Sequence, residues 1–478
     1  MSPFKFGGID TYPADAHDLD SYRTAEGAPI QLSLLVHADN PHERLYVATL
    51  DGTGNNKFKD SPENWSVVAR TYEQITFSKP AHVAAGYVHG IGTQNHVLAR
   101  IRDGLDGNTF DERVETAYFD FCNKAYSWLK EDPHAQVRVA GIGFSRGAEE
   151  VAALHRMIHE RGIRNPESAD FTRNKDGLIT HIQYADRPLL REPGQTVQVA
   201  LLYDPVSTGL KEHDRRLPPS VVAGVQITAE DERRDQFKST THIAQGCSDD
   251  GRFCNLTVGG SHSDIGNTYS KNGLGARSFN LGVDVLNALS DEPFLRKQAV
   301  PDDPNAIVVH RSEQHLMRLY TTRGFGDGER DRHTSLGGKS CPTRSVYACD
   351  VRQPVDAGLG DALEFRRMPV RPAPGETLSA PQPITFFPGN PSLEYLEAYG
   401  AAAQRGDFDA CSTLTRNHAQ LPHMQDMQQQ GRDLYQADLQ RQREEEMERI
   451  RQEQQRLAEL QWQQEQAREH SRSRGRSM

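Results

Sequence analysis

Apolar residues come along this chain in short dense runs, separated by stretches with helical spacing. RLYVATL (Arg44 to Leu50) is β-rich and stops at DGTGNN, and HVAAGYV (His82 to Val88) stops at HGIGTQ. AQVRVAGIGF (Ala135 to Phe144), TVQVALLY (Thr196 to Tyr203), SVVAGVQITA (Ser220 to Ala229) and FCNLTVGG (Phe253 to Gly260) follow. Runs this continuous predict strands buried on both faces. Between them, residues 111–130 place Val114, Ala117, Tyr118, Phe121, Ala125, Trp128 and Leu129 on one helical face. From Gly147 onward Ala148, Val151, Ala152 and Ile158 recur at the same spacing, with Glu149 and Glu150 in the first turn and Gly162 as a stop. ARSFNLGVDVLNAL (Ala276 to Leu289) predicts a further helix. Strands alternating with helices predict an α/β fold: a mostly parallel sheet with helices on both faces.

The flanks break this pattern. Residues 1–43 read as an irregular lead-in to a catalytic-type domain over 44–368. Residues 369–392 are proline-rich and read as a linker. Residues 393–478 read as a helical, Gln/Arg/Glu-rich C-terminal extension, with Met447, Ile450, Leu457 and Leu460 as a short apolar seam. Within the domain, residues 163–195 form an insertion long enough to act as a lid.

Composition narrows the function classes. The net charge is −11 and no basic patch stands out in the body, so nucleic acid is not an expected partner. The N-terminus lacks the apolar core of a signal peptide, and no apolar stretch is long enough to span a membrane. Synthesis in the cytoplasm is expected, with any export by a route that reads no cleaved signal. None of the six cysteines forms a Cys-x-x-Cys pair, which argues against a structural zinc site. Cys247/Cys254 and Cys341/Cys349 are spaced to bridge in an oxidising space; buried free thiols are the simpler expectation.

The candidate chemistry lies at predicted strand ends. Asp51, Ser145, Asp204 and His262 all follow the C-terminal ends of strands, where open α/β sheets carry their sites. Gly143-Phe144-Ser145-Arg146-Gly147 is a Gly-x-Ser-x-Gly between a strand and a helix. That context suits a nucleophile elbow, in which small residues at Gly143 and Gly147 let backbones approach closely. A serine hydroxyl needs an adjacent base to attack. Asp204, ending a buried strand before Pro205, is the candidate acid. His262, in the glycine-rich loop VGGSHSDIGNTY, is the candidate base, with His310 and His333 as rivals. DGTGNN suits an oxyanion loop, with Gly52 or Thr53 donating alongside the amide of Arg146. Each residue also has a plainer reading: a glycine-flanked surface serine, a turn-capping aspartate, a tight turn.

Six segments occur together in this order: DGTGNN, YVHGIGT (Tyr87 to Thr93), GFSRGA, LLYDPVSTG, EDERRDQF (Glu230 to Phe237) and GGSHSDIGNTY. Over about residues 44–275 they resemble the catalytic domain of the type VI secretion phospholipase effectors of the first class. The resemblance implies an α/β-hydrolase core and a Ser-Asp-His triad, matched here by Ser145, Asp204 and His262. It implies ester hydrolysis of glycerophospholipids, phospholipase A-type, by an antibacterial toxin secreted into target cells. The partners it implies are membrane phospholipid, a cognate immunity protein and a secretion-apparatus or adaptor protein. No cofactor or metal is required. Departures from the pattern include DPVSTG for Asp-Thr-Val-Gly and Asn267 for the glycine after HSDIG; they leave the triad intact and bear on lipid specificity.

Two other classes compete. A metal-dependent hydrolase could draw on Asp51, His262 and Asp264. A related aspartyl-phosphate phosphatase would use Asp51 as nucleophile, but Thr53 stands where a second carboxylate is expected. The third possibility is an inactive hydrolase fold that acts as a binding module.

Overall fold

Apolar runs without alternation need cover on two sides, and the chain supplies it with one sheet between two sets of helices. The computed structural model describes residues 9–91, 109–207, 210, 216–234, 237–314, 332–333 and 358–374. In chain order the strands are β1 (Thr11–Pro13), β2 (Gln31–Ser33), β3 (Glu43–Leu50), β4 (Val83–Val88), β5 (Gln136–Phe144), β6 (Asp170–Arg173), β7 (Ile179–Gln183) and β8 (Gln198–Tyr203). There follow β9 (Val221–Ala229), β10 (Ser239–Thr240), β11 (Gly246–Cys247), β12 (Phe253–Val258), β13 (Val308–His310), β14 (Arg332–His333) and β15 (Phe365–Arg367). The α-helices are α1 (Ala16–Gly27), α2 (Val67–Ser78), α3 (Phe110–Glu131), α4 (Arg146–Arg161), α5 (His262–Ile265) and α6 (Gly273–Asn287).

The central sheet has seven strands in the order β11-β12-β9-β8-β5-β3-β4. Every neighbouring pair is parallel except β11 with β12. Along β3, β5 and β8 side chains alternate between its faces, as the two-residue strand period requires. Leu45 and Val47 of β3, Ala140, Ile142 and Phe144 of β5, and Val199, Leu201 and Tyr203 of β8 join one core, with residues of α1, α2 and α6. Tyr46, Ala48 and Leu50, Val137 and Val139, and Ala200 and Leu202 join the other, with α3 and α4. All nine residues of β9 are buried. The expected architecture, a mostly parallel sheet with helices on both faces, is the observed one.

The expectation for the N-terminal flank needs correction. The N-terminal stretch is not irregular where it is described. Asp15 caps α1 and makes a capping box with Asp18, a device contributing about 1 kcal/mol. β1 pairs antiparallel with β13, and β2 with β15. The sequence hid α1 because its buried positions are only Asp18, Tyr22 and Ala25, with Leu19 packed beside them. Glu149 and Glu150 stand at the start of α4 as expected, and they also have partners inside the fold. Both are fully buried, with Glu149 3.3 Å from His242 Nε2 and Glu150 4.0 Å from Arg113 Nε.

Residues 163–195 contain an antiparallel hairpin of β6 and β7. It lies along α3: the amide of Ile179 donates to Thr116 Oγ1 at 2.8 Å, and the rings of Phe171 and Phe119 are 4.7 Å apart. It also reaches His89, just past β4, through the carbonyl of Asp176. Cys247 and Cys254, opposite each other on β11 and β12, are disulfide-bonded, correcting the expectation of free thiols for that pair. Cys122 is free and buried. Cys341, Cys349, residues 375–392 of the linker, the C-terminal extension from 393, and the His333 side chain lie outside the described residues. Among the described residues, no helix is long and apolar enough to cross a membrane.

Candidate active site

The site forms where β3, β5, β8 and β12 end. Ser145 sits between the last residue of β5 and the first of α4, with φ 59° and ψ −127°. A non-glycine residue in such a conformation carries a strain of about 1–3 kcal/mol that surrounding structure has to hold. The hold is visible. The amide of Ser145 donates to the carbonyl of Tyr203 at 2.9 Å, tying the turn to the end of β8. A Cβ on Gly143 would lie 2.3 Å from the carbonyl oxygen of Gly147, and one on Gly147 would lie 2.3 Å from that of Leu50. Both positions are glycine because three backbones crowd there, as an elbow requires.

Asp204 follows Tyr203, the register partner of Phe144, so it leaves the sheet beside Ser145. It is fully buried and also has a positive φ, 40°. Its Oδ1 accepts from the amide of Ala229 at the end of β9 (3.0 Å), and its Oδ2 lies 2.5 Å from His262 Nδ1. With the carboxylate ionised, Nδ1–H donates to it and the Nε2 lone pair is left to accept a proton.

His262 opens the short helix α5 and is 3% exposed. Its ring stacks on Phe144, with centroids 4.7 Å apart, and meets Phe237 edge-on at 5.1 Å. Burial holds its pKa below the ordinary histidine value, and the positive charge of Arg234 acts the same way; Asp204 and Glu232 oppose them. The net effect favours the neutral imidazole, the form that can act as a base. Ser145, Asp204 and His262 therefore gather at one end of the sheet, with Phe144 as the shared neighbour.

The DGTGNN loop arrives from β3. Arg146 Nε donates to Thr53 Oγ1 at 2.7 Å, fastening the loop to the start of α4. The amide of Gly52 donates to Asp51 Oδ1 at 2.7 Å. Of the two expected donors, Gly52 is thus already engaged. Gly90, from the HGIGTQ loop, packs so tightly on Gly52 that a Cβ would lie 1.7 Å from its carbonyl oxygen. Asp51 is a strut for this loop: it accepts from Ser66 Oγ and from Tyr87 OH, each at 2.7 Å. Burial pushes its pKa up to about 6 against those hydrogen bonds.

The alternative ligand set is not brought together. His310 Nδ1 lies 2.6 Å from Asp264 Oδ1, and Asp264 Oδ2 accepts from the amides of Ser261 and His310. His262 is turned to Asp204 instead. Among the described residues, no group of three or more His, Cys, Asp or Glu side chains is placed to hold a metal ion. His310, a rival base, serves with Asp264 to join the turn bearing His262 to β13; Tyr269 stacks on it at 3.8 Å. Asn267, where a glycine is the more usual residue, has φ 54°, a conformation asparagine tolerates better than most side chains.

Sequence reasoning missed Phe144 and Phe237 as walls of the His262 ring, and Glu232 and Arg234 beside it. The signal for the last three was the EDERRDQF segment, singled out without a role.

No curated protein matches the chain. Among solved structures it is similar to an uncharacterised protein from Pseudomonas aeruginosa, at 16% identity and TM-score 0.34, over 62% of this chain and 52% of that one. It is also similar to a Tle1 effector bound to the VgrG spike of the type 6 secretion system, at 17% identity and TM-score 0.30, over 55% and 57%. An acetyl xylan esterase in an iodinated complex aligns at 10% identity and TM-score 0.20, over 49% and 98%. The chain spans about half the length of the first two, 52% and 57%. Over residues 44–187, the segment that carries the Ser145 turn and the DGTGNN loop, the chain matches the family of Tle1-like phospholipase effectors of the type VI secretion system, in its catalytic domain.

Proposed function

We propose that the protein is a serine esterase that hydrolyses the ester bonds of glycerophospholipids, with Ser145 as nucleophile, His262 as base and Asp204 as the acid that orients it. The observation that carries this reading is an imidazole hydrogen-bonded to a buried carboxylate that leaves the sheet next to the strand end tied to a serine on a strained turn. The family match over residues 44–187 supports the lipid as substrate.

In the reaction, Ser145 Oγ attacks the ester carbonyl while His262 Nε2 takes the hydroxyl proton. Asp204 stabilises the imidazolium without taking the proton itself. The negative charge on the carbonyl oxygen is met by the amide of Arg146, at the start of α4, and by that of Thr53. Gly52 is not assigned this role because its amide is engaged by Asp51. His262 returns the proton to the departing lysolipid oxygen. It then takes a proton from water, whose oxygen attacks the acyl-serine; the acyl bond to Ser145 Oγ breaks, His262 returns the proton to Oγ, and the fatty acid is released. Base catalysis of this kind supplies roughly 10²–10⁴-fold, and each oxyanion donor about 10²–10³-fold more. The sequence contains no step that needs a metal or a cofactor.

The same match supports an antibacterial effector delivered to target cells, with a component of the secretion apparatus and a cognate immunity protein as partners. Mass spectrometry of lipid products from the purified protein tests the central assignment. Ser145→Ala is expected to abolish fatty-acid release while the thermal transition stays in place. Full activity in that folded variant would rule the mechanism out.

A further inference from the structure

The segment EDERRDQF has no part in the chemistry above. Its composition reads as a solvated charged loop, yet Glu232 is 1% exposed and Arg234 5%. Glu232 Oε1 accepts from the amide and Nε of Arg234, both at 2.8 Å, and its Oε2 accepts from Arg234 Nη2 at 2.7 Å. A buried bidentate pair of this kind is costly to desolvate and expensive to break on one side only. It therefore calls for a reason beyond stability.

The reason lies in what the pair touches. Glu232 Oε2 also accepts from the backbone amide of His262, at 3.3 Å. The Arg234 guanidinium lies 3.4 Å from the centroid of the Phe237 ring, and that ring meets the His262 imidazole edge-on. One residue earlier, Asp231 Oδ2 accepts from the amide of Gly260, two residues before His262, at 2.7 Å. The loop thus grips the turn bearing His262 by its backbone and sets a second ring, besides Phe144, against its imidazole.

We propose that Glu232, Arg234 and Phe237 form one positioning unit for His262, in which the carboxylate fixes the main chain of the base and the guanidinium–aromatic stack fixes its ring. The proposal rests on the reading of His262 as the base. The charged groups facing the imidazole are Asp204 from the end of β8 and Glu232 and Arg234 from this loop; the rings of Phe144 and Phe237 are uncharged. Asp264, on the same short helix, is engaged by His310. Of the two loop charges, Glu232 raises the pKa of His262 and Arg234 lowers it.

That opposition supplies a test that a purely structural role would not pass. In the full chain, Glu232→Gln keeps the shape and removes the negative charge. It is expected to move the NMR titration midpoint of His262 down. Arg234→Met is expected to move it up. In both, kcat on a soluble short-chain ester falls by about tenfold to a hundredfold with KM within about threefold, the pattern of a misplaced catalytic group. Midpoints that stay put, or that move in the same direction, would overturn the proposal, as would wild-type kcat in either folded variant. Where a single variant fails to fold, the double variant Glu232→Met/Arg234→Met leaves no lone buried charge. It is expected to fold with the same loss of kcat, and wild-type kcat there also overturns the unit. The midpoints are read on His262 whether or not lipid is hydrolysed. An active Ser145→Ala would thus remove the esterase reading while leaving this result separately legible.

Discussion

Phe144 is held between two glycines, and the space is too small for either to gain a side chain. Gly266→Ala tests this directly. An added Cβ would lie 2.3, 2.5 and 2.8 Å from Cζ, Cε1 and Cε2 of Phe144. Ordinary contact begins near 3.4 Å, so ring or backbone has to give by 3.4 − 2.3 = 1.1 Å. The ring is hemmed in elsewhere: a Cβ on Gly52 would lie 2.4 Å from its Cδ1, and the His262 imidazole stacks on it. Any yielding is therefore passed to the DGTGNN loop, to His262 or to both. Overpacking of this kind costs about 1–3 kcal/mol, and a displacement of about 1 Å at a catalytic group costs on the order of a hundredfold in rate. The expected result is a melting temperature lower by several degrees and kcat on a soluble ester down roughly a hundredfold, with KM changed much less. Gly27→Ala is the control, since a Cβ there would meet nothing within 4 Å; it should behave as wild type within about 0.5 kcal/mol. A Gly266→Ala protein with wild-type melting temperature and kcat would refute the idea that Phe144 couples the oxyanion loop to the base.

Two further outcomes follow from the same geometry. Burial holds the pKa of His262 below 6.5, so the base stays neutral to lower pH than a free imidazole; the acid limb of kcat/KM is expected to have its midpoint below pH 6.5, and a midpoint at or above 7 would contradict the desolvated environment. The Cys247–Cys254 bridge closes a loop with a sequence separation of 7 at the edge of the sheet, for which loop-closure entropy gives about 2.5 kcal/mol. Cys247→Ser/Cys254→Ser should melt several degrees lower than the oxidised protein, with no further loss on adding reductant.

The parts of the fold that were legible are those whose burial is written in consecutive residues. β5, β8, β9 and β12 are runs that only an interior can accommodate, and α3 and α4 show one apolar stripe each. Ser145 and Asp204 could be found because each directly follows such a run. What stayed hidden takes its stability from distant partners. β1, β2, β13 and β15 have three residues each and exist only as pairs. α2 carried a usable signal, Ser66 before Val67 and Val68; its serine hydroxyl caps Ala69 and also donates to Asp51. α5, with four residues, is too short to leave a period at all.

The misreading of the N-terminal stretch and the lack of a role for the charged segment have one cause. A run such as EDERR reads as solvent-facing only while nothing is known to lie over it. The N-terminal segment lies against this region. Tyr12 OH donates to Asp231 Oδ1 at 3.2 Å, and His17 Nε2 meets Glu230 Oε1 at 3.1 Å. Ser21 Oγ accepts from the amide of Gly259, and Asp18 fills the space a Cβ on Gly259 would need. These partners are more than 200 positions apart in the chain, and no local pattern relates them. Treating residues 1–43 as an irregular lead-in therefore left the charged segment without its cover and hid its role beside His262. The short-range signals pointed to Ser145 and Asp204, each at a strand end. The arrangement that places His262 rests on contacts between β1, α1, residues 230–234 with Phe237, and β13, the last of which reaches back through His310 and Asp264 to the turn carrying His262.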